Sequence, residues 1–163
     1  HKVPSLLSNI TVKKAPDDPI VIGLIGRLTE HKGSRIIKEL LNEIESRDLD
    51  VSIALIGKTD DDFDIKSDHF FEFGEYRLED LPKLAAESGA DVFFFPSVWP
   101  ETFSYVCSEI IDMGYPLATF DLGAQQEKAS GYEKGLVLSL ELSPSDLCDA
   151  LVSFAKDCRD LML

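Results

Sequence analysis

The sequence predicts a doubly wound α/β domain: an open parallel sheet of about six strands with helices on both faces. Three observations predict it. Short, continuously apolar runs such as IVIGLIG (20–26), VSIALIG (51–57) and DVFFFPS (91–97) recur along the chain, apolar on both faces of the strand they would form. Segments with apolar residues at helical spacing separate them. At 163 residues the chain is one domain long, and a domain of that size buries roughly 68–70% of its unfolded surface.

Taken in order, residues 1–19 (HKVPSLLSNITVKKAPDDP) mix proline, serine and charge without a period and read as an irregular lead-in from an interdomain region, with the domain proper at 20–163. The first strand, IVIGLIG, is followed by a helix in which Ile36, Ile37, Leu40, Leu41 and Ile44 share a face. VSIALIG repeats the strand signal. After the polar stretch 58–69, FFEFGEY (70–76) reads as a strand and 78–89 as a helix, with Pro82 near its first turn, where a missing N–H is tolerated. The 91–97 strand, a helix at 103–113, and strands PLATFD (116–121) and GLVLSL (135–140) follow. A last helix starts at Ser143, where Ser143 and Asp146 resemble a capping box with Asp in place of Glu.

The composition contains 30 acidic and 16 basic residues, a formal charge of −14. Such a surface repels nucleic acid and anionic lipid. An anionic ligand must therefore meet a local basic patch. Three cysteines, Cys107, Cys148 and Cys158, fall in predicted helices without CxxC spacing, the usage of a reducing compartment with thiols as small buried hydrophobes. The apolar runs are far shorter than the ~20 residues of a membrane span, so no transmembrane segment is expected. A chain opening on His1 is expected to be a piece of a longer polypeptide.

Open α/β sheets bind ligands outside the carboxyl ends of their strands, so residues just after strands are the candidates. GRLTEHKG (26–33) follows the first strand; it is neither a dinucleotide fingerprint nor a P-loop. It offers Arg27 and Lys32 around a strand-to-helix turn, with Gly26 and Gly33 permitting close backbone approach. Two readings are open: an anion site, or solvated loop charges. After the 91–95 run come PSVWP and ETFSYVCSE. Glu101 precedes a helix and Glu109 lies about two turns into it, so both can face a ligand across that helix end and accept sugar hydroxyls, with amides at 102–105 for phosphate. The alternative is that Glu101 complements the helix dipole and Glu109 is a surface charge. Asp62, Phe63 and Asp64 form a DxD, but within a polar connection that has no phosphate-binding element nearby, and it reads as a solvated acidic loop. His31 and His69 lack partners at ligand spacing. Trp99 either stacks on a sugar or base or caps the core.

The ordered set of GRxxxxKG, a strand ending in Pro96 and Ser97, ExxxxxxxE from Glu101 to Glu109, MGYPL (113–117) and GAQQE (123–127) resembles the carboxyl-terminal, nucleotide-sugar-binding half of a retaining glycosyltransferase of family 4, the glycosyl transferases group 1. The resemblance covers about residues 20–155. It implies a GT-B enzyme, two Rossmann-like halves around a cleft, that moves a sugar from a nucleotide-diphosphate sugar to an acceptor in polysaccharide or glycoconjugate synthesis. Arg27 and Lys32 would bind the diphosphate and stabilise it as leaving group, and Glu101 would orient the sugar. Glu109 would hold the ribose diol, the backbone of Thr102, Phe103, Ser104 and Tyr105 would face the phosphates, and Gly74, Glu75, Tyr76 and Arg77 the base. No cofactor or metal is expected. The partners expected are the nucleotide sugar and an acceptor-binding N-terminal domain absent from this chain, whose isolated form would transfer no sugar; the place is cytoplasmic, at most peripheral to the inner membrane face. Thr102, Ser104 and Ala124 stand where the family often has glycine, which implies less close phosphate approach. The alternatives are a non-catalytic nucleotide-binding or interaction module, or half of a sugar-nucleotide epimerase.

Overall fold

The structure, a computed structural model, describes residues 14–60 and 65–161. Six parallel strands form one sheet: β1 (Ile20–Ile25), β2 (Val51–Ile56), β3 (Phe70–Glu72), β4 (Val92–Phe95), β5 (Leu117–Phe120) and β6 (Gly135–Leu138), in the order β3-β2-β1-β4-β5-β6. Five helices connect or follow them: α1 (Ser34–Ser46), α2 (Leu81–Ser88), α3 (Tyr105–Met113), α4 (Gly123–Ser130) and α5 (Pro144–Leu161). The expected α/β Rossmann-like architecture is what the chain adopts. The strand order reverses between β1 and β4, which pair through Ile22↔Val92 and Gly23↔Phe93, so the loops leaving these two strands open a crevice between them.

The continuous apolar runs are explained by the two cores they serve. Along β4, Val92 and Phe94 enter one core with Ile37, Leu40 and Ile44 of α1 and Leu147, Cys148 and Leu151 of α5. Phe93 and Phe95 enter the other, with Leu81 and Ala85 of α2, Cys107 and Ile110 of α3 and Ala129 of α4. Because successive strand side chains point to opposite faces, a strand buried on both must be apolar at every position.

Three local expectations change, and one helix was not expected. The strand over 70–76 ends at Glu72, because it lies at the sheet edge with Phe71 and Phe73 exposed and the chain turns at Gly74 (φ 86°). The helix over 78–89 divides into a 3₁₀ turn, Leu78–Asp80, and α2 with Pro82 in its first turn. The helix expected from 103 starts at Tyr105, since Ser104 is left-handed (φ 66°, ψ 78°) and cannot continue a right-handed helix. Helix α4 had no apolar signal: only Gln125 and Ala129, one turn apart, are buried in GAQQEKAS. Elsewhere the Ser143 hydroxyl accepts the Asp146 N–H at 3.1 Å, one half of the expected cap. The DxD residues lie outside the described residues. No helix among the described residues is long and apolar enough to cross a membrane.

At the opposite end of the sheet from the crevice, Asp91 and Arg159 form a buried bidentate pair at 3.1 and 2.7 Å. Asp91 also accepts the Val21 N–H at 2.9 Å and the Lys14 amino group at 3.1 Å. Arg159 donates onward to the carbonyls of Asp18 (2.6 Å) and Pro19 (2.9 Å). One network thus ties α5, the start of β4, the start of β1 and the segment entering it. Asp91→Ala leaves a guanidinium buried without its counter-ion, and urea denaturation is expected to show a loss of about 3 kcal/mol.

Candidate functional site

The crevice at the carboxyl ends of β1 and β4 holds a cavity of about 210 Å³ whose wall includes Gly26, Arg27, Lys32, Glu101, Ser104 and Tyr105. The sequence-predicted residues from two loops nearly seventy positions apart therefore come together. The Lys32 amino group donates to the Glu101 carboxylate, and it lies 5.7 Å from the Phe95 ring centroid. Arg27 Nε donates to Asp60 Oδ1 at 2.7 Å. Asp60 is itself placed by a continuation of the sheet past its strands: Leu28 bridges Thr59, the Asp60 N–H donates to the Leu28 carbonyl, and Glu72 accepts both the N–H and the hydroxyl of Thr59.

One expectation is corrected by this geometry. The anticipated basic patch is not a net positive one, because Arg27 and Lys32 each face a carboxylate. An anion gains here from oriented donors rather than from excess charge. Asp60, the last described residue before the DxD, lies beside Arg27 through that strand-end ladder.

Helices α1 and α3 both begin at the crevice, each behind a left-handed residue and without a side-chain cap: Gly33 (φ 93°) and Ser104. Their first-turn N–H groups are donors for an anion. At each end sits a buried hydroxyl without a hydrogen-bond partner of normal geometry, Ser34 and Ser104. Gly33 is required for space as well as for φ, because a Cβ would stand 2.1 Å from the Pro96 carbonyl oxygen. Ser104 holds a left-handed φ without glycine's freedom, a strained position at the mouth of the site.

Glu109 is half-buried, and the Tyr76 hydroxyl is pushed up first by burial and then by the Glu109 charge. The second glutamate and the 74–77 segment are thus close enough for its charge to be felt at Tyr76, and Gly74 is held by its N–H to the Gly57 carbonyl at 3.0 Å. Arg77 is exposed and pairs with Glu79 at 3.7 Å. Thr102, Phe103 and Tyr105 are exposed, and the Phe103 and Tyr105 rings touch at 4.6 Å between centroids. Trp99 does not cap the core: it is 58% exposed and lies against the His31 ring at 5.1 Å.

Lys128 had no place in the sequence reading, and Gln125 entered it only as part of GAQQE. Lys128 places its amino group 4.0 Å over the Phe103 ring, a third cation at the mouth. Gln125 is buried beneath Glu101 and hydrogen-bonded to it. The available signal was position, since both follow β5 at its carboxyl end.

Gly33→Ala is expected to cost about 2 kcal/mol or more in urea denaturation, combining left-handed strain with the clash at Pro96. Gly114→Ala separates the two, because Gly114 is left-handed (φ 82°) with nothing near its would-be Cβ, and should cost only about 1–2 kcal/mol. A pH effect also follows. Burial pushes the Cys107 thiol from 9.0 up to about 11, partly offset by the Ser104 hydroxyl beside it. Between those values the folded chain binds more protons than the unfolded one, so this contribution is present below pH 9 and is lost as pH rises. Urea midpoints should fall across that window, less steeply in Cys107→Ala.

Known structures share this fold. HepE from Anabaena, determined with UDP-glucose, superposes with a TM-score of 0.67 at 19% identity, covering 98% of this chain and 48% of HepE. Sucrose-phosphate synthase from Thermosynechococcus elongatus gives 0.65 at 19% identity over 96% of this chain and 43% of its own. The C-terminal domain of LpcC, a glycosyl transferase group 1 family protein from Francisella tularensis, gives 0.62 at 18% identity over 87% and 83%. This chain thus spans about half the length of HepE. No curated protein sequence matches it. The family model described as glycosyl transferases group 1 matches residues 19–157, most of the sequence, and the chain belongs to that family.

Proposed function

We propose that this chain is the donor-binding half of a retaining glycosyltransferase that moves a sugar from a nucleoside-diphosphate sugar to an acceptor, in polysaccharide or glycoconjugate synthesis. The observation that carries the reading is the convergence, on one crevice, of Arg27, Lys32, the N-termini of α1 and α3 and the Glu101 carboxylate. HepE, which shares the fold, has been determined with UDP, with UDP-glucose, and with UDP and glucose together, which supports uridine as the base. The acceptor side of the cleft belongs to a further domain in this reading, consistent with relatives about twice as long.

Breaking the bond between the anomeric carbon and the diphosphate puts negative charge on the departing phosphate oxygens. Arg27 and Lys32 are the donors aimed at that charge, and loss of one such donor typically costs roughly 10²–10³ in rate. Their carboxylate partners keep both cations oriented before the charge develops, so little reorganisation accompanies bond breaking. Glu101 orients the sugar hydroxyls rather than attacking the anomeric carbon; the acceptor enters on the face the diphosphate leaves, which retains configuration. Glu109 takes the ribose diol, and Tyr76 and Arg77 border the base. Protein cations do the electrostatic work in this scheme, and no metal is assigned a step.

Calorimetric titration with UDP, GDP, dTDP and ADP tests the reading. Selective binding of UDP is expected, weakened about 10- to 100-fold in Lys32→Ala and in Glu109→Ala, the loss of one charge-assisted hydrogen bond in each case. The isolated chain, incubated with UDP-sugar and acceptor glycans, should transfer no sugar. Absence of binding by all four nucleotides would overturn the donor site.

A further inference from the structure

Glu101 lies between β4 and α3 in a segment with no regular structure, yet its carboxylate must be placed accurately to meet Lys32. Its backbone is held by the first turn of α4. Gln125 is 0% exposed; its Oε1 accepts the Glu101 N–H at 2.9 Å, and its Nε2 donates to the Trp99 carbonyl at 2.9 Å. The Ala124 N–H donates to the Glu101 carbonyl at 2.9 Å. Both backbone polar groups of Glu101 therefore end on one helix turn. Gly123 makes the contact close: a Cβ there would stand 2.5 Å from Gln125 Oε1 and 2.6 Å from Glu101 N.

The chemistry of the residue bears on its role. A buried amide is costly unless both its ends are hydrogen-bonded, and a Met or Leu would fill the same space without that cost. Here both ends are used, and both are used on the residues flanking Pro100. The Trp99 carbonyl receives a second donor, the Ser97 hydroxyl at 3.0 Å, which also reaches the His31 carbonyl, one residue before Lys32. Gln125 thus sits under the joint between the two loops that supply Lys32 and Glu101.

We propose that Gln125 is a positioning residue for the donor sugar: by fixing the Glu101 backbone it places the Glu101 carboxylate against Lys32, and it governs recognition of the sugar more than recognition of the nucleotide. The proposal rests on the reading of Glu101 as a sugar contact. A merely structural role would lower stability or weaken sugar-bearing and sugar-free ligands alike.

The test compares the unaltered chain with Gln125→Met, near in volume but without hydrogen bonds, and with Gln126→Met, the neighbouring half-buried position. Amide hydrogen exchange without ligand is read at Glu101 and at Val92–Phe95. Affinities are read for UDP and UDP-glucose. Gln125→Met is expected to speed Glu101 exchange at least about tenfold while leaving β4 unchanged, and to weaken UDP-glucose about tenfold more than it weakens UDP. Gln126→Met changes none of these. Gln125→Glu at about pH 5, where burial keeps the carboxyl protonated and able to accept and donate, restores both readouts and serves if the Met variant fails to fold. Unchanged Glu101 exchange, or equal weakening of UDP and UDP-glucose, overturns the proposal. If the unaltered chain binds neither ligand, the donor-site reading fails and the sugar role falls with it, while Glu101 exchange still reports whether Gln125 holds that backbone.

Discussion

The parallel pairing of β1 with β4 is the constraint on which the rest of this structure depends. It places two strands distant in sequence side by side at the centre of the sheet, where the strand order reverses. The connections leaving them diverge to opposite faces, so their ends cannot close over one another and a crevice remains. Every group in the candidate site descends from that reversal. Arg27 and Lys32 leave β1, Glu101 leaves β4, and the helices α1 and α3 start directly after those loops, with Ser104, Tyr105 and Val106 in the cavity wall.

The electrostatics of the crevice answer a problem posed by the composition. A chain of formal charge −14 has a long-range field unfavourable to a diphosphate. The two cations do not create a positive island, because Asp60 and Glu101 accompany them. What the site offers instead is orientation. Donors fixed by partners and by helix ends need little rearrangement when an anion arrives, and in a partly enclosed cavity their interaction exceeds that of the same groups in water. The buried hydroxyls of Ser34 and Ser104 lie at the two helix starts, that of Ser104 beside the Cys107 thiol.

A different economy operates at the far end of the sheet. There the charges are deeply buried, and their partners are exhausted internally: Asp91 is shared among Arg159, Val21 and Lys14, and Arg159 spends its remaining donors on backbone carbonyls. Such a network contributes position more than net stability, since desolvation offsets most of the attraction. It fixes where the chain enters β1 relative to α5. One end of the domain is thereby closed by satisfied polar groups, while the other retains donors for a ligand.

The sequence by itself determined the sheet and the family. IVIGLIG, VSIALIG and VFFF are apolar at nearly every position, Ser52 excepted, because each lies between two helix layers, and that burial is written in composition alone. The ordered motifs from Gly26 to Glu127 also carried the kinship that the family match bears out. Boundaries set by single residues were less legible: Ser104 ends a loop through a left-handed φ that serine rarely adopts, and α4 buries only Gln125 and Ala129, too few to mark a helix by period. Only the tertiary structure decided which charges meet. That Lys32 reaches Glu101, that Arg27 reaches Asp60 rather than standing in a basic patch, and that Gln125 lies beneath Glu101 are contacts between segments far apart in sequence. Local pattern encodes the face a residue turns toward the core. Partners across strands depend on strand order and register, which no local stretch of sequence specifies.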